Sequence, residues 1–457
     1  MSGPDRNRSK PYLACCALFC GSLLAAGRGA PAPVFVLLVI GAVASLGALL
    51  WNEARAPSIA PRTILLVSAG LMVLAIAIPP RASRDVYAYV MYGRVLGVHH
   101  ANPYRHSPAE FPNDPALQRM ASQFRTVPSV YGPAFAVTSA AITVVAGDSQ
   151  LAQRVGFQAL AAVAVGATLL IMRRRGAGTL ALAAVGLNPL VVSIVSGGHN
   201  DALVGLAVLG GIALLRRSPG AAGVALGLGA CVKITALLPA GAVGVWLLVR
   251  DRRRGVALAA SCAAVVLGGY ALFGGISALE PLRSEGRYLS RFSIWHLVPE
   301  HVGGFLRDRA TIFGARVISF AGTSVAIASG IVVAFAYRRA SSPMVPAALA
   351  TSALLLAMPY ILPWYIGAVF PLLVLDWRRL VSWLAPIQTM LLFLWYPRIE
   401  PQPSGEAVEQ VVRAGPVIVG VWSAVALAVL LVSAVREWRR TSRTGAALPS
   451  VRPGVLG

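Results

Sequence analysis

The sequence predicts an all-α, polytopic membrane protein with about thirteen to fourteen transmembrane helices, and three observations carry that reading. Hydrophobic residues make up 57% of the 457 residues and charged residues only 12%. The mean hydropathy of +0.70 lies well outside the globular range. Apolar windows recur along nearly the whole chain, so residues 1–457 read as a single integral-membrane domain rather than a string of soluble ones. Arginine clusters separate the windows: Arg173–Arg175, Arg216 and Arg217, Arg250 with Arg252–Arg254, Arg338 and Arg339, Arg378 and Arg379, then Arg436, Arg439 and Arg440. Such clusters mark cytoplasmic loops that meet anionic headgroups.

The same clusters account for the net charge of +23 and the pI near 11.1. No basic patch is interleaved with a soluble module, so no nucleic acid is expected as a partner. The cysteines (Cys15, Cys16, Cys20, Cys231 and Cys262) fall inside apolar runs without metal-ligand spacing and read as small apolar fillers. The basic start and short apolar core of the N-terminus resemble a signal peptide; it is expected to be retained as a first span with a cytoplasmic start.

In order, the expected spans are 12–26, 33–50, 63–79, 151–172, 179–196, 202–215, 221–232, 236–249, 256–273, 312–337, 344–358, 361–375, 380–396 and 414–435. Counted from inside, they put every arginine cluster and the basic tail 436–457 in the cytoplasm. The short apolar stretch 133–146, opening with "YGP", would break this parity, and is expected to be a juxtamembrane or re-entrant helix on the outer face. The outside then receives a large first loop, 80–150, with juxtamembrane helices, a second loop, 274–311, and a third segment, 397–413. All six histidines fall on this side, with the polar knots "SGGHND" (196–201) and "PYILPWY" (359–365). No Walker loop or Gly-rich phosphate fingerprint is present. Any chemistry must use a substrate at the outer face or in the membrane.

Asp85 opens "DVYAYVMYGRVLGV" directly after a span, beside Arg84 and followed by aromatics that include Tyr87. A carboxylate there either accepts a proton from a substrate hydroxyl or caps the helix that follows. The apolar residues of that helix, Val86, Tyr87, Val90, Met91 and Leu96, would lay one side on the membrane. Tyr104 and Tyr131 either line a sugar pocket or belong to an interfacial aromatic belt. His199, Asn200 and Asp201 follow two glycines and either position a sugar or phosphate or cap the next span. Lys233, the only lysine besides Lys10, divides two short apolar runs. A broken helix tip carrying it suits a lipid-linked phosphate; the alternative is snorkelling. Arg283, Arg287 and Arg291 recur every fourth residue, the spacing of one helical face, with His296 or His301 nearby, and would suit an anionic ligand or headgroups.

Five stretches taken together, "DVYAYVMYGRVLGVHHANPY", "SVYGPAF", "NPLVVSIVSGGHNDAL", "VKITALLPA" and "PWY", resemble the polyprenol-phosphate-mannose-dependent α-1,6-mannosyltransferases of actinobacteria. These are GT-C type integral-membrane glycosyltransferases close to glycosyltransferase family 87. The resemblance covers roughly residues 83–365 and implies Asp85 as the catalytic base. Where such proteins carry a second Asp in a "GxDPY" turn, Asn102 stands here. It further implies a polyprenyl-phosphate sugar as donor and a mannoside, glycolipid or mannan as acceptor. One inversion at a β-linked mannosyl phosphate would give an α-mannoside. Lys233, His199 and the Arg283–Arg291 face would offset charge on the leaving phosphate. No cofactor and no metal are expected, and Asp85 with Asp201 is the pair that would hold a cation. A transporter or flippase of lipid-linked sugars is the main rival, against which stands the absence of an internal repeat. Within the enzymes, a donor carrying another sugar, such as arabinofuranose, is the nearest alternative.

Overall fold

The computed structural model describes residues 8–26, 31–80, 83–285, 289–298, 310–395 and 406–443, and among these it contains helices and turns but no strand. The chain divides into two compact units, 1–206 and 207–456. Several apolar helices fit a multi-pass membrane protein. Five described helices are long and apolar enough to cross a bilayer, with a sixth if one bent pair counts as a span, and eight further apolar helices have 10–17 residues.

The first unit starts with α1 (Lys10–Ala26), α2 (Ala32–Arg55) and α3 (Pro61–Ala77). Proline stands in the first turn of α2 and α3, where its missing N–H costs no hydrogen bond. Next come α4 (Asp85–Gly97), a run of 3-10 turns, α5 (Pro133–Ala146) and α6 (Gln150–Arg174). The expected span 179–196 is instead two helices, α7 (Thr179–Gly186) and α8 (Pro189–Ser196), bent by 46°. The Asn188 side chain accepts from the Leu190 N–H at 2.9 Å, and Pro189 follows in the first turn, so the chain restarts there. Helix α9 (Asp201–Leu214) runs through the boundary between the units.

Contrary to expectation, the apolar side of α4 is for the most part covered by protein, with only Tyr87 and Leu96 half-buried. Val86, Val90 and Met91 are buried inside the protein, as are Ala88, Tyr89, Tyr92, Gly93, Arg94 and Val95. Helices α5 and α6 pack against it. A Cβ on Gly93 would stand 2.5 Å from the Ser139 carbonyl oxygen, so the bare glycine is what lets α5 approach this closely. The apolar outward face belongs to α5 instead, through Val137, Val144 and Val145.

An ion cluster centred on the buried Arg94–Asp114 pair fastens the following loop to α4. Arg94 Nε donates to both Asp114 carboxylate oxygens at 2.9 and 2.8 Å, and Nη1 pairs with Asp148 at 2.7 Å. His99 Nε2 lies 2.7 Å from Asp114 Oδ2, and its ring stacks on Phe111. Burial raises the Asp114 pKa, but the Arg94 guanidinium, the Ala116 N–H and His99 outweigh it and hold the carboxyl below its ordinary 3.8. A depressed folded pKa means stability that is complete above 3.8 and lost as pH falls through the lower folded value. Acidification below about pH 4 is therefore expected to loosen residues 98–132. Asp114→Asn should produce the same increase in amide exchange of this segment at pH 7; unchanged exchange in that variant would remove the cluster's role.

The second unit contains α10 (Pro219–Val232), α11 (Leu237–Leu248), α12 (Arg252–Ala271), α13 (Glu280–Glu285), α14 (Ala310–Ala336), α15 (Met344–Ala357), α16 (Phe370–Leu375), α17 (Leu384–Trp395) and α18 (Glu406–Arg443). Every residue of α15 is buried, as its unbroken apolar sequence requires, and α11, α14 and α18 surround it. The expected span 361–375 is not one helix. It is a 3-10 segment, Pro363–Ala368, followed by the short α16, because Pro363 and Pro371 interrupt the backbone ladder. In the expected third outer segment, residues 406–413 already belong to α18.

Not every arginine is spent on headgroups. Arg250 donates to the carbonyls of Arg338, Arg339 and Ala340 at 2.9, 3.2 and 2.6 Å and lies over the Trp246 ring. It closes the turn that follows α14 by satisfying carbonyls just beyond the helix end.

Candidate functional site

In the first unit, two chain turns bring Asp85, His199, Asn200 and Asp201 together. Asp85 is the first residue of α4, and the Ser83 hydroxyl accepts its N–H at 3.1 Å. Asp85 therefore does not cap the helix, whose N-cap position is Arg84, and its carboxylate faces His199, with Nδ1 3.5 Å from Oδ2. The Asp85 side chain keeps 25% exposure, whereas that of His199 keeps 2%.

The second turn ends α8. His199 N–H bonds the Ile194 carbonyl and Gly198 N–H the Val195 carbonyl, with Gly198 at φ 63°. This is the helix-ending arrangement that needs a left-handed residue, and glycine adopts it without strain. The glycine beside it serves differently: a Cβ on Gly197 would overlap the His199 imidazole. "SGGH" is therefore a turn that sets a histidine ring directly over a bare backbone. Asn200 and Asp201 follow, each 2% exposed.

Tyr89 closes the site from behind. It stands four residues after Asp85 and so on the same face of α4, a position that Tyr87 lacks. Tyr89 is 1% exposed. Its hydroxyl accepts the Asn200 backbone N–H and bonds the Tyr131 hydroxyl. Burial, then the Asp85 and Asp201 carboxylates, push its phenol well above the ordinary value, so it stays protonated. The rings of Tyr131 and Phe135 meet Tyr89 edge to face, with centroids at 5.0 and 4.9 Å.

The two turns are tied together by α6. Gln158, fully buried, donates from Nε2 to the Ser196 carbonyl at 2.7 Å, just before the His199 turn. The same nitrogen reaches the Ala75 and Ile78 carbonyls at 3.0 and 3.2 Å, at the end of α3 and ahead of Asp85. Arg154 Nη1 donates to the Ile76 carbonyl and to Gln158 Oε1. Neither residue was singled out from the sequence, although an Arg and a Gln inside an apolar run are costly unless satisfied, which is itself a signal.

The remaining expected residues are placed as follows. Arg84 is exposed, Tyr87 half-buried, and Tyr104 is buried with its hydroxyl donated to the Tyr131 carbonyl at 2.7 Å. In the second unit, Lys233 stands in an extended break between α10 and a 3-10 turn, with Nζ 3.6 Å from the centroid of the Tyr365 ring. The knot "PYILPWY" thus supplies an aromatic face for the lone lysine. Of the expected arginine face, Arg291 is described, exposed in a turn after α13. Arg287 and His301 lie outside the described residues, as does the side chain of Arg283, and His296 is exposed. Among the described residues no three His, Cys, Asp or Glu side chains are arranged to hold a metal ion.

Comparison with known proteins meets this geometry. The family described as alpha-(1->6)-mannopyranosyltransferase, N-terminal domain, matches residues 16–250. The alpha-(1->6)-mannopyranosyltransferase A of Corynebacterium glutamicum is 30% identical over 200 residues, which are 42% of this chain and 40% of that protein. The match thus spans about two fifths of this relative's length.

Proposed function

This chain belongs to the alpha-(1->6)-mannopyranosyltransferase family, and from that premise we propose that it transfers mannose from a polyprenyl-phosphate donor to a mannoside or glycolipid acceptor, with inversion. The observation that carries the reading is the part-exposed Asp85 carboxylate held 3.5 Å from the buried His199. Asp85 is the general base. The acceptor hydroxyl oxygen forms its bond to the anomeric carbon, the bond from that carbon to the phosphate oxygen breaks, and the phosphate leaves with the electron pair. The hydroxyl proton passes to Asp85. His199 fixes the direction of the carboxylate, and protonated Tyr89 shields it from behind. No cofactor besides the lipid-linked donor takes part. The reaction is assigned to the outer face of the cell membrane, a reading supported by the arginine clusters, which the positive-inside bias favours on the cytoplasmic side. In the second unit, Lys233 over Tyr365 is the group suited to an anionic headgroup such as the donor's phosphate.

The test is transfer by the purified protein from radiolabelled polyprenyl-phosphate-mannose to short α-mannosides, with the arabinofuranosyl donor in parallel. Lengthened mannosides with the first donor alone support the reading. Movement of the lipid across a vesicle without transfer would favour a flippase. A second expectation follows from the His199 turn. Gly197→Ala forces the imidazole off its backbone seat and should lower the turnover number about tenfold or more, since displacement of about 1 Å can cost that much. Unchanged turnover in that variant would show that the His199 position is irrelevant to transfer.

A further inference from the structure

Resting on the mannosyltransferase reading, we infer that the Asn200 carboxamide is the group that recognises a pair of hydroxyls on a sugar ring in this site. Asn200 is 2% exposed, yet among the described residues neither its Nδ2 nor its Oδ1 has a hydrogen-bond partner. Its backbone, in contrast, is fully engaged: the N–H goes to the Tyr89 hydroxyl, and the carbonyl accepts the Leu203 and Val204 N–H groups of the first turn of α9 at 3.0 and 3.3 Å. The side chain therefore does no structural bonding, and a dry, unpaired amide costs stability. A protein keeps such a group where a ligand completes it.

A carboxamide presents one donor edge and one acceptor edge side by side. Its complement is a vicinal diol, in which one hydroxyl donates to Oδ1 and its neighbour accepts from Nδ2. Anions are a poor match, because Oδ1 would face another acceptor and Asp201 follows directly. A cation would leave the Nδ2 donors unpaired. Sugar hydroxyls satisfy both edges. The location agrees: Asn200 lies between His199, beside the Asp85 base, and Asp201, whose carboxylate acts on the same Tyr89 phenol as that of Asp85. The inference adds a specificity residue to the reading. The base activates whichever hydroxyl reaches it, whereas the amide selects the ring by the hydroxyls that flank the reacting centre. A site that hydrogen-bonds a hydroxyl discriminates strongly against the analogue lacking it.

The experiment compares the wild-type protein with Asn200→Leu, which keeps the side-chain size and removes both polar edges. Transfer is measured with short α-mannosides and each of their single-deoxy forms, and separately with deoxygenated mannosyl groups on the polyprenyl-phosphate donor. The wild type should lose kcat/KM by ten-fold or more for two adjacent deoxy positions on one of the two sugars, and which sugar it is identifies the ring held. In Asn200→Leu that loss should shrink to within two-fold, while the melting temperature of the ligand-free protein holds or rises. A deoxy penalty equal in wild type and variant would overturn the inference. So would a fall in melting temperature with unchanged KM for all sugars, which is the mark of a structural asparagine. The wild type's failure to transfer any sugar would overturn the mannosyltransferase reading itself, a result distinct from the other two.

Discussion

Asp85→Asn is expected to reduce mannosyl transfer by about a hundred- to ten-thousand-fold, the range lost when a positioned general base is removed. The effect should fall on kcat, because asparagine keeps the size of the side chain and one acceptor oxygen but cannot take the acceptor proton. Stability should hardly change. The first N–H of the helix is taken by the Ser83 hydroxyl rather than by the Asp85 carboxylate, which lies 3.5 Å from His199. Transfer of label from polyprenyl-phosphate-mannose, read beside thermal unfolding of the same preparation, separates the two quantities. Loss of activity with an intact melting curve supports the base assignment. If transfer survives in Asp85→Asn, the proton goes elsewhere, and Asp201, which acts with Asp85 on the Tyr89 phenol, becomes the group to replace.

Much of this architecture could be read from local chemistry. The bounds of α5 coincide with the expected stretch 133–146 because proline opens it and Gly147, at φ 55°, closes it. Lys233 was expected at a broken helix tip on cost alone, and the extended break between α10 and α11 is such a tip. Some errors had visible signals. Asn188-Pro189 marks the bend between α7 and α8, and the prolines within 361–375 argue against one continuous span.

The site divides along a different line. Asp85, His199, Asn200 and Asp201 stand out because charge and hydrogen-bonding capacity are scarce in so apolar a chain. Their contact across more than a hundred residues of sequence is tertiary and has no local signature. The amphipathic reading of α4 failed for the same reason. Its apolar side is real, but α5 and α6 cover it, and nothing within residues 85–97 distinguishes a lipid from a protein neighbour. Tyr89 and Gln158 went unnoticed because each draws its meaning from a partner turn elsewhere in the chain.

Gln158 is where this long-range dependence is expected to have its largest effect. Its single amide nitrogen serves carbonyls at the end of α3 and at the end of α8, the helices that lead into the Asp85 and His199 turns. Gln158→Met keeps length and volume but withdraws those N–H groups, and it also removes the Oε1 that accepts from Arg154. Each buried polar group left without a partner costs about 1–3 kcal/mol, so the melting temperature should fall measurably, by less than the roughly 2–4 °C per kcal/mol of chains about half this length. A purely structural glutamine would do no more than that. As a positioning residue, Gln158 must also set the distance between Asp85 and His199, and a shift there lowers kcat while KM for donor and acceptor stays near its wild-type value. The folded fraction of Gln158→Met, assayed well below its melting point, should therefore turn over at least ten-fold more slowly. Wild-type kcat in that folded fraction would reduce Gln158 to a packing residue and leave the meeting of the two turns to the aromatic cluster of Tyr89, Tyr131 and Phe135.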